Sequence, residues 1–211
     1  MRRPALLVAA LAAALLLPAT GVAATRILGR PSASVARAQA WARAHHATPT
    51  FVRLARLYWQ LAPSRHVRPE VAYAQAAKET AFGHFGGVLD ASFHNPCGLK
   101  RSAGGRNDDP HAHERFRTWR RGVAAHVDHL ALYAGAPGYP RAHTPDPRHF
   151  AFLRGDAPTV ERLGSAWAPS SSYGREIVPL ARQIGLGKAR PRSRPRRAPR
   201  PPVQLPEGIV L

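Results

Sequence analysis

Glu79 closes the run Val71-Ala-Tyr-Ala-Gln-Ala-Ala-Lys-Glu79, which continues as Thr80-Ala-Phe-Gly83. Pro69 and Glu70 suit a helix start and Gly83 a helix stop, so the carboxyl falls in the last turn of a largely apolar helix. Burial penalises its charged form, and so does the negative end of the helix. Both push its pKa upward, which is the tuning of a general acid that hands a proton to a leaving group. Ala72, Gln75 and Ala76 share its face at helical spacing. The two alanines leave room above the carboxyl, and Gln75 can hydrogen-bond to whatever enters.

Two other residue types carry reactive chemistry. Cys97 is the single cysteine, and His94, His111, His113 or His126 could partner it in a cysteine peptidase. A nucleophilic thiol usually starts a helix, however, and Asn95-Pro-Cys-Gly98 reads as a turn. His111 and His113, with Asp109 or His126, could hold zinc, though the spacing lacks the tighter pattern of zinc hydrolases. The expectation is therefore no metal and no cofactor.

The elements that must position Glu79 are mostly helical. Phe51, Leu54, Leu57, Tyr58 and Leu61 recur at helical spacing after Thr48-Pro49, and Pro63 ends that helix. The Glu79 helix follows from Pro69. Next comes a Gly- and Pro-rich stretch in which residues 97–99 and 115–119 could pair as small strands. A helix over 120–134 carries Val123, Val127, Leu130 and Tyr133, and a short one is expected over 158–163. The last begins near Tyr173 with Ile177, Leu180 and Ile184, and Pro179 could kink it. The pattern predicts a mainly α domain with a small irregular or β insertion between two helical parts.

Both ends read differently. Residues 1–24 have Arg2 and Arg3 before an apolar run and then Val22-Ala-Ala24, the layout of a secretory signal peptide. Residues 25–48 form a helix or a linker, residues 49–184 the domain, and residues 185–211 a basic tail that alternates arginine with proline and cannot build a core. The net charge is +19. In an exported chain that charge favours anionic cell-wall polymers over nucleic acid. With 45% hydrophobic residues the domain can bury a core without a disulfide.

Ala74-Gln-Ala-Ala-Lys-Glu-Thr-Ala-Phe-Gly83, then Asn95-Pro-Cys-Gly-Leu-Lys100, then Trp167 to Tyr173 resemble the glucosaminidase domain of bacterial peptidoglycan hydrolases (glycoside hydrolase family 73) over roughly residues 51–184. The resemblance implies a lysozyme-like α+β fold, with a helical lobe, a small β-containing lobe and a cleft between them. It implies an enzyme that cuts the β-1,4 bond after N-acetylglucosamine in the glycan strands of peptidoglycan; the leader adds the expectation that it is exported, and a monomer is expected. Glu79 matches the family's catalytic acid and Tyr173 an aromatic residue near it. Asp108, Asp109 and Glu114 lie in the region of the β lobe and are candidates to activate water; without one, the N-acetyl group of the substrate could serve as nucleophile. Asn95 and Lys100 would hydrogen-bond the sugar, with Tyr173, Trp167 or Phe93 stacked on its faces. A lytic transglycosylase on the same fold and a non-catalytic wall-binding domain remain alternatives. Two residues depart from the family pattern. Lys78 should point to another face, and Cys97 replaces an apolar residue, which favours a buried thiol.

Overall fold

A computed structural model describes residues 24–187; the expected signal peptide, up to residue 23, and the basic tail from residue 188 lie outside the described residues. Six α-helices organise the described chain: α1 Val35–Ala44, α2 Pro49–Leu61, α3 Pro69–Glu79, α4 Trp119–Tyr133, α5 Leu163–Ala166 and α6 Tyr173–Ile184. None is long and apolar enough to cross a membrane among the described residues.

The centre of the domain is α3. Every residue from Pro69 to Ala77 is buried, so this helix is covered on all sides, by α2, α4 and α6. Five of those nine positions, Pro69, Ala72, Ala74, Ala76 and Ala77, carry small or compact side chains, which lets the neighbouring helices approach. α2 begins on a Thr48 cap followed by Pro49 and turns Phe51, Leu54, Ala55, Tyr58 and Leu61 inward. Tyr73 stacks on Phe51 with ring centroids 4.6 Å apart and donates its hydroxyl to the Phe51 carbonyl at 2.9 Å.

Residues 25–48 resolve to an ordered part of this packing. Ile27 is fully buried, and α1 lies against α2 and α6. The Glu70 carboxylate, in the first turn of α3, accepts from the Ser32 and Ala33 amides at 2.6 Å each. That pins the N-terminal segment to the start of the central helix.

The end of α3 comes earlier than Gly83. Thr80 turns its hydroxyl back onto the Ala76 carbonyl at 2.7 Å and accepts from the Gly83 amide at 3.0 Å, so the chain leaves the helix directly after Glu79. Gly83 sits at φ 88°, where a Cβ would fall 2.4 Å from Thr48 Oγ1. Glu79 is consequently the last helical residue, at the rim of the helical body.

The insertion between α3 and α4 is less regular than paired strands. Its extended contacts are one bridge, Lys100 with His113, flanked by bonds from the Arg101 amide to the Ala112 carbonyl and from the Glu114 amide to the Leu99 carbonyl. The pairing thus joins 99–101 to 112–114, short of the predicted 115–119. Thr118 explains the difference: its side chain caps α4 and draws Trp119 into the helix. Gly122 on α4 admits the insertion, since a Cβ there would stand 1.8 Å from the His94 carbonyl oxygen. Cys97, Leu99 and Phe116 form a small core of their own on Ala125 of α4. The predicted helix over 158–163 appears as a 3₁₀ turn, Val160–Arg162, running into α5. Pro179 lies inside α6 without ending it.

Candidate active site

Where the insertion faces the helical body a cleft of about 810 Å³ opens. Glu79 stands in it at the end of α3, and Tyr173, the first residue of α6, stands beside it. The Tyr173 hydroxyl donates to Glu79 Oε1 and accepts from Gln75 Nε2 at 2.9 Å. The carboxyl is lodged among protein atoms, and that burial raises its pKa above the ordinary carboxylate value. The Tyr173 hydroxyl, the Lys78 ammonium and the Trp167 indole pull the other way without reversing it. Among the described residues that line the cleft, Glu79 is the sole carboxylate.

Of the other candidate residues, some join Glu79 and some do not. Trp167 lines the cleft, its ring edge-on to His129 at 5.2 Å and tilted over His126 at 5.6 Å, so it both packs and presents a face. Lys100 lines it too, with its ammonium donating to the Gly105 carbonyl. Gln75 is fully buried behind Tyr173 and reaches the site only through that hydroxyl.

Asn95 has a different task. It is fully buried; its amide nitrogen donates to the Leu99 and Glu114 carbonyls at 2.8 and 2.9 Å, and its oxygen accepts from the Leu99 amide at 3.0 Å. With both ends engaged it clasps the insertion and offers the sugar nothing. Phe93 is likewise buried, its ring covered by the Arg115 guanidinium at 3.8 Å, and lies off the cleft. Asp109 caps a 3₁₀ turn by accepting from the His111 amide at 2.8 Å, and neither Asp109 nor Glu114 lines the cleft. Asp108 is paired with Arg106 in an exposed turn.

Lys78 does not point to another face. It lines the cleft, pairs with Glu176 of α6 and stands 5.5 Å from the centre of the Tyr173 ring. Asn107, His129, Tyr133 and Arg148 also line the cleft, with no motif in the sequence to mark them as site residues. Of these His129 had a readable signal, three positions after His126 on one helix. Its ring nitrogen Nδ1 is held by the buried Asp146 at 2.7 Å.

The competing chemistries lose their geometry. Cys97 is buried, its sulfur 3.9 Å from Asn95 Oδ1, and burial pushes the thiol pKa well up, away from a nucleophilic thiolate. His94 is bound instead to the Phe116 carbonyl and His113 to the Asp109 carbonyl, both at 2.9 Å. His126 faces Tyr58 and Gln75. No three His, Cys, Asp or Glu side chains converge among the described residues as zinc ligands would.

A helical body, a small irregular lobe and a cleft between them make a mainly α, lysozyme-like domain. The chain belongs to the glucosaminidase family: the family model described as mannosyl-glycoprotein endo-beta-N-acetylglucosaminidase matches residues 55–186, and membership makes the domain a glycoside hydrolase of the N-acetylglucosaminidase type. An uncharacterized protein of Borreliella burgdorferi is 27% identical over 118 residues, which are 56% of this chain and 55% of the relative. The chain thus spans about half the length of that curated relative. No solved structure matches.

Proposed function

We propose that the protein is an exported endo-β-N-acetylglucosaminidase that hydrolyses the β-1,4 bonds of peptidoglycan, with Glu79 as the general acid. The observation that carries this reading is the placement of Glu79: a carboxyl of raised pKa, alone of its kind in the cleft lining among the described residues, with a tyrosine hydroxyl aimed at it. Protonated, Glu79 delivers its proton to the oxygen that leaves C1. As that bond breaks, the sugar ring takes positive charge and Glu79 becomes a carboxylate, which the Tyr173 hydroxyl stabilises.

With no second carboxylate lining the cleft among the described residues, the acetamido oxygen of the N-acetylglucosamine itself attacks C1 and holds the ring as an oxazolinium. Water then adds to C1, returning its proton to Glu79 and leaving a reducing end. Trp167 supplies an apolar face for a sugar ring, and Lys78, Lys100 and Arg148 give the cleft a cationic lining suited to a glycan that carries carboxylates.

One carboxyl also suffices for a lytic transglycosylase, in which the sugar's own 6-hydroxyl closes on C1. Mass spectrometry of digested peptidoglycan separates the two, since hydrolysis leaves reducing N-acetylglucosamine ends and transglycosylation leaves anhydro ends. The leader and the basic tail complete the proposal: the enzyme acts as a monomer outside the membrane, held on anionic wall polymers by a salt-sensitive attraction. Wall binding at low salt should weaken when residues 188–211 are deleted; unchanged binding would remove that part.

A further inference from the structure

Behind Tyr173 a line of buried polar groups continues for three more residues. Gln75 Oε1 lies 3.0 Å from His126 Nε2, and His126 Nδ1 lies 2.8 Å from the Tyr58 hydroxyl. Tyr58, Gln75 and His126 are each fully buried. They come from α2, α3 and α4, so the line crosses the core of the helical body before it reaches the cleft.

Proton counting gives this line one direction. The Tyr58 hydroxyl has one hydrogen-bond partner among the described residues, His126 Nδ1, and a buried O–H left without an acceptor is costly. Tyr58 therefore donates to Nδ1, and the neutral imidazole carries its proton on Nε2. Burial, helped by His129, holds the His126 pKa down to about 3, so the ring is neutral throughout the working range. Nε2–H donates to Gln75 Oε1, which turns the Gln75 amide nitrogen toward Tyr173. That nitrogen donates to the Tyr173 oxygen, and the single tyrosine proton is then free only for Glu79. Were the amide turned over, Tyr173 would give its proton to Gln75 and present a lone pair to the carboxylate.

We propose that His126, with its tautomer fixed by Tyr58, is a positioning residue for Glu79: through Gln75 it commits the Tyr173 hydroxyl as a donor to the catalytic carboxyl. The inference rests on the reading of Glu79 as general acid. The groups that face Glu79 are Lys78 on its own helix, Tyr173 on α6, the Trp167 indole, and Cys97 from the insertion. Those that face His126 are Tyr58, Gln75, His129, Asp146 and the Trp167 ring. None of the others turns Gln75.

The test is His126→Phe in the full chain. With the amide free to turn, Glu79 loses its donor in part of the molecules and its pKa rises. The descending limb of the kcat–pH profile should move up by about one unit. kcat should fall by about tenfold, with KM within about twofold of wild type. His126→Gln, which can place an amide donor on Gln75, should return the limb toward the wild-type position. Carbon-13 titration of the Glu79 carboxyl reads the same shift without substrate, so it stands apart from the hydrolase assignment, which Glu79→Gln decides. A limb and a carboxyl titration that stay in place, whatever the loss of kcat, would overturn the proposal and leave His126 a packing residue. If the phenylalanine variant does not fold, Tyr58→Phe carries the test. It deletes one oxygen, and an unmoved limb in a folded Tyr58→Phe protein would be equally decisive against it.

Discussion

Replacing Tyr173 by phenylalanine removes one oxygen and two hydrogen bonds. The hydroxyl donates to Glu79 Oε1 and accepts from Gln75 Nε2, and the residue is buried, so water does not take its place without rearrangement. A hydrogen bond to a charged group contributes about 1.5–3 kcal/mol, and here it favours the ionised carboxyl over the neutral one. At 1.36 kcal/mol per unit, its loss raises the Glu79 pKa by roughly one to two units beyond the rise that burial already causes. The acid must be protonated to act, so activity falls as pH passes above that pKa, and Tyr173→Phe should carry the falling limb to higher pH by the same amount. The carboxylate formed in the transition state loses the same bond, which costs kcat about 10- to 100-fold. Steady-state rates on solubilised glycan strands from pH 4 to 9 would measure both effects. A limb that stays in place or moves to lower pH, with the protein folded, would refute the reasoning, because the hydroxyl would then not be serving the ionised acid.

Two further outcomes concern stability. Glu79→Gln keeps an oxygen that can accept from Tyr173 and removes a carboxyl that resists ionisation. A raised folded-state pKa stabilises the protein below the unfolded value near 4.5 and loses that contribution as pH rises through the folded value. The variant should therefore gain in Tm over wild type as pH rises from about 4.5 toward neutrality, with little gain below; a difference independent of pH would count against a buried, reluctant acid. Asn95→Ala should destabilise by about 2–3 kcal/mol in urea unfolding, since it leaves the Leu99 amide and the Glu114 carbonyl without partners inside the insertion, while the Leu99 carbonyl keeps the Glu114 amide. Wild-type stability with a raised KM would instead restore Asn95 as a sugar contact.

Much of the helical frame was legible because its cues are local. Thr48-Pro49 starts α2, Pro69 starts α3, and the spacing of Val123, Val127 and Leu130 marks the buried side of α4. Glu79 was legible for the same reason, as a carboxyl at the end of an alanine-rich helix. Its meeting with Tyr173, 94 positions away, came from the family pattern and no local rule. Long-range partners account for what was missed. Asn95 looks like a free polar side chain until the chain returns at Glu114 to use it. Lys78 looks directed elsewhere until α6 brings Glu176 to its ammonium. His126 reads as a stray histidine, because its partners lie on α2 and α3 and no spacing within α4 announces them. The strand estimate failed at Thr118, where a helix cap and a β-branched strand residue are the same letter in the sequence.

The central claim is that Glu79 donates the proton that breaks the glycosidic bond. Purified peptidoglycan digested by wild type and by Glu79→Gln, with the product ends read by mass spectrometry, tests it most directly. Wild type should release reducing N-acetylglucosamine ends, and a folded Glu79→Gln protein should release them about 10²- to 10⁴-fold more slowly. Release of the same ends at an undiminished rate by that variant would contradict it.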